Sequence, residues 1–189
     1  MKMYEGGWEK LRNERYQRML QMGIIEKERW PLPTRESWVQ DWDTIDHKPW
    51  RIRNQAIYAA MVDHMDQAVG NIINALKRTK QFENTLIIYF HDNGACPEHL
   101  SGNGWNTANN ILAKAKREGK EVAVGDKYDV MMGGPLTYGS VGHNWANAQN
   151  TPMRRYKSNV HNGGACTPAI MHWPKGLKTM PGSITDQRG

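Results

Sequence analysis

Apolar side chains recur every three or four residues in two stretches of the chain, and each stretch predicts an amphipathic helix. The first covers residues 8–20 and is followed by Gly23. The second covers residues 53–80, and its apolar stripe consists of Ile57, Met61, Met65, Val69, Ile72, Ile73 and Leu76. Residues 26–50, between the two helices, show no periodicity and predict a long irregular loop.

Two short apolar runs predict strands. Residues 85–90 (TLIIYF) are continuously apolar and rich in β-branched and aromatic side chains, which is typical of a parallel-sheet strand buried on both faces. Residues 169–173 (AIMHW) predict a second core strand, which Pro174 ends. Because a helix followed by a buried strand is half of a βαβ unit, the predicted class is α/β. A weaker pattern predicts one more helix over 109–118.

Composition narrows the classes of partner. The 189 residues suffice for one domain with a core, although the mean hydropathy of −0.76 is low. A net charge of +6 favours an anionic partner. The basic residues are dispersed over helix faces and form no arm or aromatic-interleaved run, so we expect no nucleic-acid partner. No stretch has the apolar length of a membrane span.

The eight tryptophans allow two interpretations. They can form a surface for flat or carbohydrate-like substrates, or they can be packing residues of a loop-rich core. Buried packing is the more common role of tryptophan, and we favour it here. The two cysteines, Cys96 and Cys166, have the spacing of neither a zinc site nor a thioredoxin-like motif.

The first candidate site is the tripeptide Asp92-Asn93-Gly94, directly after the strand over 85–90. Ligands of open α/β sheets bind beyond the carboxyl ends of strands. A carboxylate next to a side-chain amide offers two hard oxygens to Ca²⁺ or Mg²⁺, and the glycine permits a sharp turn. An ordinary Asn-Gly turn is the competing interpretation of the same residues.

The second candidate site is the cationic, glycine-containing segment NTPMRRYK (150–157), which is followed by GGACTPAIMHWP (163–174). Such a loop can bring Lys157 and backbone donors to an anion. Taken alone, the segment is better explained as a solvated basic loop.

In this order, the helix, the apolar strand, Asp-Asn-Gly, NTPxRxYK and GGxxTPAIxxWP resemble the type I sulfatases (arylsulfatases) of the alkaline phosphatase superfamily. Segments 7–25 (GWEKLRNERYQRMLQMGII) and 56–73 (AIYAAMVDHMDQAVGNII) share the resemblance, which is weakest over 98–139. It implies an α/β fold that is part of an alkaline-phosphatase-like sandwich, with a mainly parallel central sheet and flanking helices. It also implies a periplasmic or secreted protein, although no signal sequence is visible.

The resemblance assigns roles to three residues. Asp92 and Asn93 would be ligands of a divalent metal, expected to be Ca²⁺ with Mg²⁺ as the alternative. Lys157 would be the catalytic lysine that contacts the sulfate. The resemblance names no substrate-binding residues. The substrate would be a small-molecule or glycan sulfate ester, and the nucleophile a formylglycine.

The chain departs from the family pattern at several points. It contains no Cys or Ser followed by x-Pro-x-Arg or x-Ala-x-Arg, the formylglycine motif. His91 replaces the usual Ser or Thr, and Asn162 stands where Glu often precedes the paired glycines. We therefore expect residues 1–189 to be the central-to-late part of a sulfatase catalytic domain, without its nucleophile segment and C-terminal subdomain, and inactive alone.

Two alternatives remain open from the sequence. One is a phosphodiesterase or phosphonate hydrolase of the same superfamily, which the NTPxRxYK and GGxxTP segments disfavour. The other is a non-catalytic, sulfatase-like module that binds a sulfated glycan or a partner. The missing nucleophile is consistent with such a module, whereas truncation explains the missing flanks with fewer assumptions.

Overall fold

The computed structural model describes residues 1–99 and 118–185. Its helices and strands, in chain order, are α1 (Gly7–Gln21), α2 (Lys48–Arg78), β1 (Ile87–Phe90), β2 (Ala123–Val124), β3 (Thr137–Tyr138), α3 (Gly142–Gln149), α4 (Asn162–Ala165) and β4 (Ala169–His172). Most of the helix expected over 109–118 lies outside the described residues. Within the described ranges, no helix is long and apolar enough to cross a membrane.

Helices α1 and α2 confirm the predictions made from the two periodic stretches. Helix α2 begins five residues earlier than predicted, with Pro49 in its first turn. Proline is well tolerated there because a first-turn N–H has no partner within the helix. The connection between the two helices, residues 22–47, consists of turns and bends, as the absence of periodicity predicted.

The tryptophan-rich core lies between α1, the connection after it, and α3. Its largest fully buried side chains are Trp8 on α1 and Trp145 on α3, with 1% and 2% of their surface exposed. Both rings pack edge-to-face against Trp42, with centroid distances of 4.8 Å for Trp8 and 5.8 Å for Trp145. The Trp8 indole N–H donates to the Gln40 carbonyl oxygen at 2.8 Å. The favoured interpretation of these tryptophans as packing residues is therefore correct.

The sheet pairing corrects the strand predictions. Strand β1 pairs with β4 in antiparallel fashion, with Ile88 opposite Met171. Exposure alternates along β1, and Phe90 remains 65% exposed. The prediction of a parallel strand buried on both faces is therefore wrong for the described part of the chain, because no element covers the Ile88–Phe90 face. The other described pair, β2 with β3, is parallel.

Strand β4 was expected to be a second core strand, and this is also wrong among the described residues. All four of its residues are exposed. Its place is fixed by the pairing with β1 and by the segment that follows, where the Lys175 N–H donates to the Glu83 carbonyl oxygen at 2.9 Å. The pairing nevertheless brings the loop before β4 and the loop after β1 to the same end of the sheet.

Candidate functional site

Two loops meet at the carboxyl end of β1. One is the segment 91–98 that follows β1, and the other is the segment 150–161 that follows α3. The Lys157 N–H donates to the Ala95 carbonyl oxygen at 3.1 Å, and the Gly94 N–H donates to the Gly164 carbonyl oxygen at 3.3 Å. The fold therefore brings Asp-Asn-Gly and NTPMRRYK together, although more than fifty residues separate them.

The side chain of Asn150 clamps this junction. Its amide NH₂ donates to the carbonyl oxygens of Arg155 and Gly163, both at 2.7 Å. Its Oδ1 accepts the Ala95 N–H at 3.2 Å. One side-chain amide therefore satisfies three backbone groups that no β-sheet hydrogen bond satisfies.

Glycines allow the two loops to approach this closely. A Cβ on Gly94 would lie far inside van der Waals contact distance of the Gly163 carbonyl oxygen. A Cβ on Gly163 would in turn overlap the carbonyl oxygens of Arg154 and Arg155. Both glycines are buried, so the junction is packed backbone against backbone and has no room for a side chain.

Asp92 and Asn93 lie on the exposed side of the junction. Asp92 is exposed, and no hydrogen bond ties up its carboxylate among residues 1–99 and 118–185. The Asn93 amide NH₂ donates to the Gly94 carbonyl oxygen at 2.9 Å, which leaves its Oδ1 as the group able to face a ligand. Two neighbouring hard oxygens fit part of a Ca²⁺ or Mg²⁺ shell, and Ca²⁺ takes six to eight. No group of three or more His, Cys, Asp or Glu side chains able to hold a metal occurs in the described ranges.

Lys157 is paired with Glu98. Its Nζ lies 3.2 Å from Glu98 Oε1 and 3.4 Å from Oε2. The hydrogen bond to Glu98 is the first cause that raises the pKa of Lys157, so the side chain stays in its ammonium form. The negative charge of Asp92 also raises this pKa, which means that Asp92 and Lys157 interact electrostatically. The Cys96 thiol donates to Glu98 Oε2 at 2.7 Å. This hydrogen bond is the first cause that lowers the pKa of Glu98, and the hydrogen bond from Lys157 lowers it further.

The two arginines of the loop brace it against the segment after α1. Arg154 Nε lies 2.5 Å from Glu36 Oε1, and Arg155 Nε lies 3.4 Å from the same oxygen. The Arg155 guanidinium also stacks over the Trp38 ring at 3.8 Å. The Arg154 hydrogen bond is the main cause that lowers the pKa of Glu36. This carboxylate therefore fixes the direction of the loop that contains Lys157.

Replacing Glu36 by Gln is expected to lower the free energy of unfolding at pH 7 by about 1 kcal/mol, because two arginines lose their carboxylate. The native pKa of Glu36 is below its unfolded value, so its contribution is complete above about pH 4.3 and is lost as the pH falls through the native pKa. Urea unfolding at pH 7 and pH 3 should therefore show a difference between wild type and Glu36→Gln that shrinks at the lower pH. The exposed Glu83→Gln is the control, and a difference that stays constant down to pH 3 would contradict the assignment.

His143 belongs to a separate histidine pair. Its Nδ1 lies 3.1 Å from His99 Nε2, and His99 Nδ1 lies 3.4 Å from the Asp126 carboxylate. Burial is the first cause that lowers the pKa of His143, with the charge of His99 second. The side chain is therefore engaged within the protein.

Sequence reasoning missed three residues of the site. Glu98 pairs with Lys157, Asn150 clamps the loops, and Glu36 holds the arginines. A signal existed for Asn150, which is a polar amide at the end of the α3 segment, directly before Thr-Pro. Neither glutamate had a local signal, because each partner is distant in sequence.

The fold and the site together define an α/β protein in which a carboxylate, an amide and an ammonium group gather at the carboxyl end of one strand. Comparison with known proteins gives the family. The sulfatase family model matches residues 12–188, and the chain belongs to the sulfatase family. The sequence resemblance is thereby confirmed, and the family implies an alkaline-phosphatase-like α/β fold.

Three relatives illustrate the similarity. An uncharacterised sulfatase of Schizosaccharomyces pombe is 30% identical over 97% of this chain and 31% of its own length. An arylsulfatase of Klebsiella aerogenes is 27% identical over 90% of this chain and 34% of its own length. Arylsulfatase J of Mus musculus is 42% identical over 28% of this chain and 8% of its own. The chain thus spans about a third of the length of the first two.

Proposed function

We propose that this chain is the metal- and sulfate-contacting part of an enzyme that hydrolyses sulfate esters of aryl alcohols or carbohydrates. In this proposal Asp92 and Asn93 supply oxygens to a calcium ion, and Lys157 contacts the sulfate. Magnesium is the alternative ion. A periplasmic or secreted location goes with the proposal, since it is common among sulfatases.

The observation that supports the proposal most strongly is the junction of the two loops. Lys157 donates its backbone N–H to Ala95, and Asn150 binds both loops. The side chains proposed to hold the metal and the sulfate therefore come from two loops that hydrogen bonds join. Holding catalytic groups close together in this way lowers the entropy that is lost when the substrate is positioned.

The chemistry of a sulfate ester fits these groups. The ester is anionic, and negative charge grows on the leaving oxygen during hydrolysis, so fixed cations stabilise the transition state more than the ground state. A bound divalent ion would add Lewis-acid stabilisation of the same charge. Lys157 is suited to its part because Glu98 raises its pKa and keeps it protonated. Glu98 must then share the ammonium group with the substrate.

We propose further that the β1–β4 pair is part of a larger, mainly parallel sheet in the whole protein. Exposed apolar side chains support this on both faces of the pair, with Ile88, Phe90 and Met171 on one face and Ile170 on the other. Sheets of α/β proteins are covered on both faces, so apolar side chains in both directions are what such a sheet requires.

Calcium titration of this chain tests the metal role. We expect Ca²⁺ to bind, and Asp92→Ala to weaken its binding at least about tenfold, because the charge of the ligands sets the affinity of calcium sites. Asp66→Ala is the matched control, since Asp66 is exposed on α2 and the net charge changes equally. Equal calorimetric titrations of the two variants would contradict the assignment of Asp92.

A further inference from the structure

Two histidine side chains meet at the start of α3, and neither is among the residues proposed to bind calcium or sulfate. His143 lies in the first turn of α3, and its Nδ1 is 3.1 Å from Nε2 of His99, although the two residues are 44 positions apart. The two rings lie at an interplanar angle of 75°. His99 is exposed and His143 is half-buried, so an ion in solution can reach the pair.

The carboxylate of Asp126 sets the tautomer of His99. Its Oδ2 lies 3.4 Å from Nδ1 of His99, so the contact is favourable when that nitrogen carries the proton. The neutral ring then has its lone pair on Nε2, which is the nitrogen that faces His143. A carboxylate on the far nitrogen is also what orients metal-binding histidines and makes them more basic.

The surroundings hold both the carboxylate and the ring in place. The Tyr128 hydroxyl donates to Asp126 Oδ2 at 3.3 Å, and the Tyr128 ring stacks on His47 with a centroid distance of 4.0 Å. Gly142 has a φ of +70° and lies against the His99 ring, where an added Cβ would be 2.5 Å from Cε1 of that ring. A side chain at this position would displace His99, so the glycine lets the ring rest on the start of α3.

Two neutral imidazole nitrogens at this separation can share a hydrogen bond or bind the same metal ion. A tetrahedral ion about 2.0 Å from each nitrogen would hold them about 3.3 Å apart. The observed separation of 3.1 Å is close to that value. Imidazole nitrogens suit Zn²⁺, Cu²⁺ and Ni²⁺, whereas Ca²⁺ and Mg²⁺ prefer oxygen. Because the described ranges contain no group of three such side chains able to hold a metal, water would complete the shell.

We propose that His99 and His143 bind a Zn²⁺ ion, with Asp126 as the carboxylate that orients His99. The ion would join the segment after β1 to the start of α3 and so stabilise the folded chain, since the two ligands come together only on folding. This site is independent of the proposed sulfatase function, because it uses other residues and nitrogen in place of oxygen ligands.

Calorimetric titration of the untagged chain with Zn²⁺, in excess Ca²⁺, tests the proposal. Calcium keeps the proposed oxygen site filled, and we expect one Zn²⁺ to bind per chain. His99→Gln changes an exposed side chain and should weaken binding at least about tenfold, and loss of the orienting carboxylate in Asp126→Asn should weaken it about tenfold. His64→Gln is the matched control at an exposed position in α2, and it should bind Zn²⁺ as the wild type does.

The ring ¹⁵N resonances identify the ligating atoms. Zn²⁺ should shift Nε2 of His99 and Nδ1 of His143, and a shift confined to other histidines would contradict the assignment. Absence of Zn²⁺ binding, or equal affinities of His99→Gln and His64→Gln, would overturn the site. None of these measurements depends on Asp92 or Lys157, so such a result would leave the proposed function standing. A failed Ca²⁺ titration would in turn leave the zinc site standing.

Discussion

Alanine at Gly94 is expected to lower the free energy of unfolding by about 3 kcal/mol. The added Cβ would overlap the carbonyl oxygen of Gly163, which is backbone and cannot rotate away. Gly163 itself is held by the Asn150 amide and by its own N–H bond to the Arg154 carbonyl oxygen. The clash must therefore separate the two loops.

Gly70→Ala is the matched control for Gly94→Ala. Gly70 lies inside α2, and a Cβ there meets nothing within 4 Å. Since glycine weakens a helix interior relative to alanine, the control should raise the free energy of unfolding by about 0.5–1 kcal/mol. Urea unfolding followed by circular dichroism measures both. A Gly94→Ala midpoint equal to that of wild type would mean that the loops can separate at no cost.

Helices α1 and α2 could be predicted from the sequence because their signal is local, whereas the shorter helices α3 and α4 were not predicted. The apolar stripe of α2, from Ile57 to Leu76, repeats over about five turns, and no tertiary contact is needed to recognise it. Strands β1 and β4 could be located from the sequence, but the burial of their faces could not be predicted. A short apolar run does not distinguish a strand with two covered faces from one with an open face, and only the pairing of β1 with β4 settles this.

The residues of the candidate site could be named from the sequence, whereas their assembly could not. Asp92, Asn93 and Lys157 stand out by motif, and their metal and sulfate roles remain predictions. The groups that hold the loops together bond across long stretches of chain, 55 residues from Ala95 to Asn150 and 118 from Glu36 to Arg154. A hydrogen bond of this kind produces no periodic pattern in the sequence, because it forms only when folding brings two distant segments together.

Alanine at Asn150 is expected to cost about 3 kcal/mol of the free energy of unfolding. The change removes two hydrogen bonds donated to the carbonyl oxygens of Arg155 and Gly163 and one accepted from the Ala95 N–H. Each backbone group left without its partner costs about 1 kcal/mol or more when it is shielded from water. Because the loops then separate, the proposed binding of Ca²⁺ at Asp92 should weaken in parallel, which calorimetry on the same variant measures.

Asn150→Asp separates the role of the amide from that of its volume. The carboxylate has nearly the same shape and keeps the acceptor for the Ala95 N–H, but it loses both donors and sets a negative charge against two carbonyl oxygens. It should therefore destabilise the protein at least as much as alanine does, while the exposed Asn84→Ala should have no effect. A stable Asn150→Asp variant would mean that the amide donors do not hold the junction. In that case the close packing of Gly94 on Gly163, with the backbone hydrogen bonds from Lys157 to Ala95 and from Gly94 to Gly164, would join the two loops.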